Sequence, residues 1–86
     1  MTAGNLPDDA RPGLTPTEAR LLDVLRGRPG HVFSRAELVA LVMPGTIVLE
    51  RTIDVHVRGL RAKLGAARNR IKTVRHLGYC FQPAEM

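Results

Sequence analysis

Tryptophan is missing from this chain, and its aromatic content stops at one tyrosine and two phenylalanines. Any core must therefore be built from Leu, Val, Ile and Ala, and a chain of 86 residues buries only about 60–65% of the surface it would expose unfolded. A single cysteine, Cys80, excludes an internal disulfide. No apolar run approaches the roughly 18 residues of a bilayer span, and the N-terminus lacks the apolar stretch of a secretory signal. No membrane partner is expected, and the cytoplasm is the expected location. His31, His56 and His76 are the only histidines and lie far apart, so no metal site is predicted. No Ser–His–Asp order, Gly-rich phosphate loop or pair of acids suggests catalysis, so no catalytic residue, cofactor or enzymatic activity is expected. A hydrophobic share of 44% nevertheless fits a folded domain.

Acidic residues are scarce in one half only. Residues 1–40 hold five Arg against five Asp or Glu, whereas residues 41–86 hold eight Arg or Lys against Glu50, Asp54 and Glu85. The whole net charge of +5 therefore sits in the second half, a distribution suited to a polyanionic partner.

Residues 1–13 carry two prolines and two glycines and read as a tail or linker remnant, 14–83 as one domain, and 84–86 as a C-terminal tail. Leu14–Thr15–Pro16–Thr17–Glu18 is a helix start: Thr15 caps, Pro16 suits the first helical position, and Glu18 completes a capping box. Leu21, Leu22 and Leu25 follow at helical spacing, with Gly27 as the stop. His31–Val32–Phe33 can supply one edge strand. Ser34–Arg35–Ala36–Glu37 is a second capping box, opening a short helix expected to turn Leu38, Val39, Leu41 and Val42 inward and to end at Pro44–Gly45.

Arg51–Leu64 is the most informative stretch. At 100° per residue, Ile53, Val57, Leu60 and Leu64 fall in one narrow stripe that should bury. Arg51, Val55, Arg58 and Ala62 fall opposite, with Gly59 beside them and His56, Arg61 and Lys63 flanking. A helix anchored by one side and offering arginines on the other can enter a major groove, where Arg donates twice to guanine and a Val methyl meets thymine methyl. A solvated basic surface helix is the plainer alternative. Asp54 is expected to pair with Arg58 one turn on, and Gly65 to cap the helix. His56 has two open readings, a DNA contact or packing against a neighbouring helix.

Beyond Gly65 the period changes. Arg70–Val74 alternates, with Ile71 and Thr73 expected on opposite faces, and Tyr79–Gln82 reads as its antiparallel partner across Arg75–His76–Leu77–Gly78. Cys80 is expected as a buried or half-buried small residue and Tyr79 as a packing aromatic. The predicted class is α+β: three helices followed by a C-terminal β-hairpin, the order of a winged helix-turn-helix.

Four segments, LTPTEARLL at 14–22, FSRAEL at 33–38, RTIDVHVRGLRAKL at 51–64 and IKTVRHLGYCF at 71–81, resemble the C-terminal effector domain of OmpR/PhoB-type two-component response regulators. The resemblance implies sequence-specific binding of double-stranded DNA, with the helix at about 50–64 in the major groove and the wing at about 70–82 in the minor groove. It implies DNA contacts by Arg51, Thr52, Val55, His56, Arg58, Arg61, Thr73 and Arg75; His76, beside Arg75 at the hairpin tip, is a further candidate contact. Arg35, Arg68, Arg70 and Lys72 are expected on phosphates. It further implies direct-repeat half-sites bound as a tandem dimer by a chain monomeric when free, and a contact with RNA polymerase through about 43–49. The family usually has a four-stranded sheet before its first helix, and residues 1–13 are too short for one, so a trimmed piece or a minimal version is expected, without a receiver domain. Gly59 stands where the family often has a basic residue, His76 where the wing usually has Gly, and Met43 where Trp is common. A protein-interaction module docking on RNA polymerase or another partner without reading DNA is the alternative.

Overall fold

Two helix starts are written into the chain as complete capping boxes, and both form. The structure is a computed structural model that describes residues 13–83. Of the tails expected at 1–13 and 84–86, all but Gly13 lies outside the described residues. Helix α1 spans Pro16–Gly27; Thr15 Oγ1 accepts from the Glu18 amide and Glu18 Oε1 from the Thr15 amide, both at 3.0 Å. Helix α2 spans Arg35–Val42, with Ser34 and Glu37 paired in the same way at 3.0 and 2.8 Å. Arg20 on α1 donates to the Val42 carbonyl at 3.2 Å, filling an acceptor that the end of α2 leaves open. Helix α3 spans Arg51–Leu64 and ends at Gly65 as expected; its start at Glu50 has no side-chain cap.

The core is the one the stripes predict. Leu21, Leu22 and Leu25 of α1, Leu38 and Val42 of α2, and Ile53, Val57 and Leu60 of α3 are buried together with Phe33, Ile71, Tyr79 and Phe81. Leu64 is only partly buried against them. Leu41 corrects the expectation for α2, because it is 51% exposed. Val39 and Leu41 flank the Leu38–Val42 row at similar angles, and only the Val39 flank meets the core.

A 3₁₀ stretch, Gly65–Arg70, follows α3 and was not predicted. Strands β1 (Ile71–Val74) and β2 (Gly78–Phe81) then pair antiparallel, with Ile71 opposite Phe81 and Thr73 opposite Tyr79. Ile71 and Thr73 share a strand face, since residues two apart do; Ile71 is buried and Thr73 exposed because β1 runs out of the core along its length. The expected edge strand is one residue wide: Phe33 bridges Tyr79, its amide donating to the Tyr79 carbonyl at 2.8 Å and its carbonyl accepting from the Tyr79 amide at 3.0 Å. Gly78 makes this approach possible. Its φ is +152°, and a Cβ there would stand 1.9 Å from the Phe33 carbonyl oxygen. Among the described residues the fold is three helices followed by a two-stranded hairpin.

Candidate nucleic-acid interface

The inner seam of α3 is fully packed, which fixes what the helix presents outward. Arg51, Val55, Arg58 and Ala62 are exposed, and Thr52 and His56 are half-buried. Arg51, Thr52, Asp54, Val55, His56 and Arg58 line one open depression on this helix. Val55 is 67% exposed, an apolar side chain left in water amid cations.

Gly59 does not belong to that outward set. A Cβ on it would stand 2.5 Å from Glu18 Oε2 on α1, so its missing side chain serves the contact between α1 and α3 rather than leaving a gap in the basic surface. Glu18 is buried, and besides capping α1 it accepts from Lys63 Nζ at 2.7 Å. Lys63, expected to flank the basic surface, is thus turned to α1. Burial pushes the Glu18 carboxyl up, but the Lys63 ammonium and the Thr15 amide outweigh it and hold it below the ordinary value. In Gly59→Ala, the helix-propensity gain of about 1 kcal/mol is opposed by displacing a bonded carboxylate. The clashing atom is the far end of a flexible side chain, so we expect the two effects to cancel to within about 1 kcal/mol, read from the urea midpoint; a loss above about 2 kcal/mol would show that Glu18 has no room to turn.

Asp54 also departs from expectation. It does not hold Arg58 but accepts at one oxygen from two other elements: from the Tyr79 hydroxyl of β2 at 2.6 Å and from Arg35 Nε of α2 at 2.9 Å. Burial pushes its carboxyl up, and the Tyr79 hydroxyl with the Arg35 guanidinium outweigh that and hold it low. Tyr79 is the packing aromatic expected, with its polar end in use, and burial followed by Asp54 raises its hydroxyl above the ordinary value. Arg35 therefore stands over the α2–α3 junction with one donor committed and nearly half its side chain exposed.

On the hairpin side, Arg61 reaches from α3 to β1, its guanidinium donating to the Ile71 carbonyl and to Thr73 Oγ1. Arg61, Arg68, Lys72 and Thr73 line a second open notch with Asn69 and Ile71. Arg70 is exposed outside it, and Arg75 and His76 are exposed at the hairpin turn. His76 has φ +68°, at the third position of the turn that Leu77 closes by donating to the Val74 carbonyl at 2.9 Å, a place that ordinarily selects glycine. The predicted residues thus form an α3 set, a notch set and a hairpin tip, with Arg35 and Arg70 outside all three. Sequence spacing carries no signal for Asp54–Tyr79, Lys63–Glu18 or Arg61–Thr73, which are tertiary pairs.

Residues 9–81 match the family described as "Transcriptional regulatory protein, C terminal". The chain belongs to this family. The phosphate regulon transcriptional regulatory protein PhoB of Rhizobium meliloti is 46% identical over 72 residues, which cover 80% of this chain and 32% of that protein. The transcriptional regulatory protein CseB of Streptomyces coelicolor is 48% identical over 68 residues, covering 78% of this chain and 28% of that one. The chain spans about a third of the length of these curated relatives. Among solved structures, the DNA-binding domain of the response regulator AdeR, in complex with an intercistronic region, superposes with a TM-score of 0.74 at 36% identity. That match covers 83% of this chain and 74% of the AdeR domain. The Klebsiella pneumoniae RstA DNA-binding domain in complex with its RstA box gives 0.71 at 32% identity, covering 84% of this chain and 75% of that domain. These neighbours identify the three helices and hairpin of this family member as a winged helix-turn-helix, with α3 its third helix and β1–β2 its wing. No helix among the described residues is long and apolar enough to cross a membrane.

Proposed function

We propose that this chain is the effector domain of a two-component transcriptional regulator and binds double-stranded DNA in a sequence-dependent way. The observation that carries the reading is the outward row Arg51, Val55 and Arg58 on a helix whose inner seam is locked, beside a basic hairpin. In the major groove Arg51 and Arg58 would read guanine and Val55 a thymine methyl, while Thr52 and His56 meet the adjoining backbone. Thr73, Arg75 and His76 would lie at the minor groove. Arg35, Arg68, Arg70 and Lys72 contact phosphates, which position the domain without specifying sequence. The DNA complexes of the similar AdeR and RstA domains support this reading.

The finer assignments belong to the same proposal: direct-repeat half-sites, a tandem dimer on DNA from a free monomer, a cytoplasmic location and domain limits at 14 and 83. A contact with RNA polymerase through about 43–49 draws support from Ile47, fully exposed, and Leu49, 63% exposed. The same two side chains favour the second reading, a module that docks on protein without reading DNA.

Selection of bound sequences from a random duplex pool, followed by titration with the selected duplex, tests the reading. Arg58→Ala should weaken binding to the selected duplex about tenfold and random duplex much less. Equal loss on both would remove Arg58 from base reading, and no duplex binding at low salt by a folded sample would favour protein docking.

A further inference from the structure

The side chain of Arg61 is spent on the protein itself. Nε and Nη2 donate to the Ile71 carbonyl at 3.2 and 2.7 Å, and Nη2 also donates to Thr73 Oγ1 at 2.8 Å. The guanidinium carbon lies 5.7 Å from the centre of the Tyr79 ring, within cation–π range. Tyr79 faces Thr73 across the β ladder, so Arg61 touches both strands at the same rung. Two turns earlier on α3, Asp54 accepts from the hydroxyl of that tyrosine at 2.6 Å. The recognition helix therefore grips the hairpin at two points seven residues apart. One attachment would leave the hairpin free to pivot, whereas two attachments set its angle.

We propose that Arg61 is a positioning residue rather than a DNA contact: it fixes the angle of the wing to α3, so that Arg75 reaches its groove while α3 occupies the other. The claim about DNA rests on the binding reading above; the claim about the angle does not. A guanidinium is required, because Nε and Nη2 close together on the Ile71 carbonyl while Nη2 also reaches Thr73 Oγ1, a fixed planar geometry that an ammonium on a flexible stem does not reproduce. Charge alone would suffice for a phosphate contact.

The test uses the 86-residue chain with Arg61→Met, Arg61→Lys, Arg75→Ala and the Arg61→Met/Arg75→Ala pair, titrated with the duplex selected from the random pool. A positioning role predicts that Met and Lys at 61 weaken binding by similar factors, of about tenfold. It also predicts coupling: Arg75→Ala costs about tenfold in the parent and less than about threefold in the Arg61→Met background. Arg61→Lys binding within about twofold of the parent, or costs at 61 and 75 that simply multiply, would overturn the proposal in favour of an independent phosphate contact. Residual dipolar couplings of the free protein supply a reading without DNA. In Arg61→Met the β1 and β2 amides should reorient relative to α3 while the α1 and α2 couplings stay in place; unchanged hairpin couplings would refute the strut. If Arg61→Met does not fold, Arg61→Lys and Thr73→Val carry the same comparison. If the parent binds no duplex, the DNA reading fails and the couplings alone decide the role of Arg61.

Discussion

Gly78→Ala is expected to cause a large loss of stability, read as a urea midpoint far below that of the parent. The added methyl would stand 1.9 Å from the Phe33 carbonyl oxygen, 2.8 Å from its carbonyl carbon and 3.0 Å from the Ser34 Cα. All three are backbone atoms, so no rotamer change relieves the overlap, and the φ of +152° is itself a conformation that L residues avoid. Relief requires opening the Phe33–Tyr79 bridge, with its hydrogen bonds of 2.8 and 3.0 Å. The buried Phe33 ring then loses its place in the core. Two lost backbone bonds, disturbed packing and dihedral strain together amount to about 3–5 kcal/mol. A domain of this size has roughly 4–13 kcal/mol in all. Urea titration followed by circular dichroism measures the loss, and a change below about 1 kcal/mol would mean that the bridge does not hold the hairpin down.

Asp54→Ala is expected to cost about 2–3 kcal/mol of stability, chiefly through Tyr79. The tyrosine is 6% exposed, and its hydroxyl would lose a charged acceptor at 2.6 Å. The Arg35 side is open to water and adds little, because solvent screens such pairs. Tyr79→Phe in the Asp54→Ala background should be nearly neutral, since the hydroxyl then has no acceptor to lose. A full additional cost would show that the hydroxyl had another partner. The same carboxylate gives stability a pH dependence whose sign follows from its lowered value. Asp54 and Glu18 both titrate lower folded than unfolded, so the unfolded chain takes up protons first as acid is added. The stabilisation they provide is complete above the unfolded carboxylate range near pH 4 and drains away as pH falls through the folded values. Asp54→Asn should flatten the acid limb of a stability–pH curve measured by urea unfolding; an unchanged limb would remove Asp54 from that linkage.

What the sequence made legible is what depends on neighbours a few residues apart. Both capping boxes, the stop at Gly27, the aliphatic seam Ile53–Val57–Leu60 and the hairpin register follow from local spacing, and they suffice to place Arg51, Val55 and Arg58 outward. What stayed hidden depends on which elements meet. Gly59 reads as a hole in a basic surface until α1 lies against it and Glu18 fills the space. Asp54 has Arg58 four residues away in sequence, yet a tyrosine 25 residues along and an arginine 19 residues back have the better geometry. Arg61 counts as one more outward cation until the fold brings the Ile71 carbonyl and the Thr73 hydroxyl within its reach. Leu41 fails for the same reason in reverse: its flank of α2 meets nothing in the core.

The three helices do not begin alike. Thr15 and Ser34 tie off the first turns of α1 and α2, while Glu50 leaves the first turn of α3 without such a tie. The end that carries Arg51 and Thr52 is held by backbone bonds, from the Thr52 amide to the Leu49 carbonyl at 2.9 Å and from the Ile53 amide to the Glu50 carbonyl at 3.0 Å, so fraying is expected there, whereas Arg61 at the other end is fastened to the hairpin. Amide protection should rise along α3 from its first turn toward its last. If that end meets DNA as proposed, it is the half with the most motion to lose, and part of the entropy of association is set by a cap that the sequence leaves out.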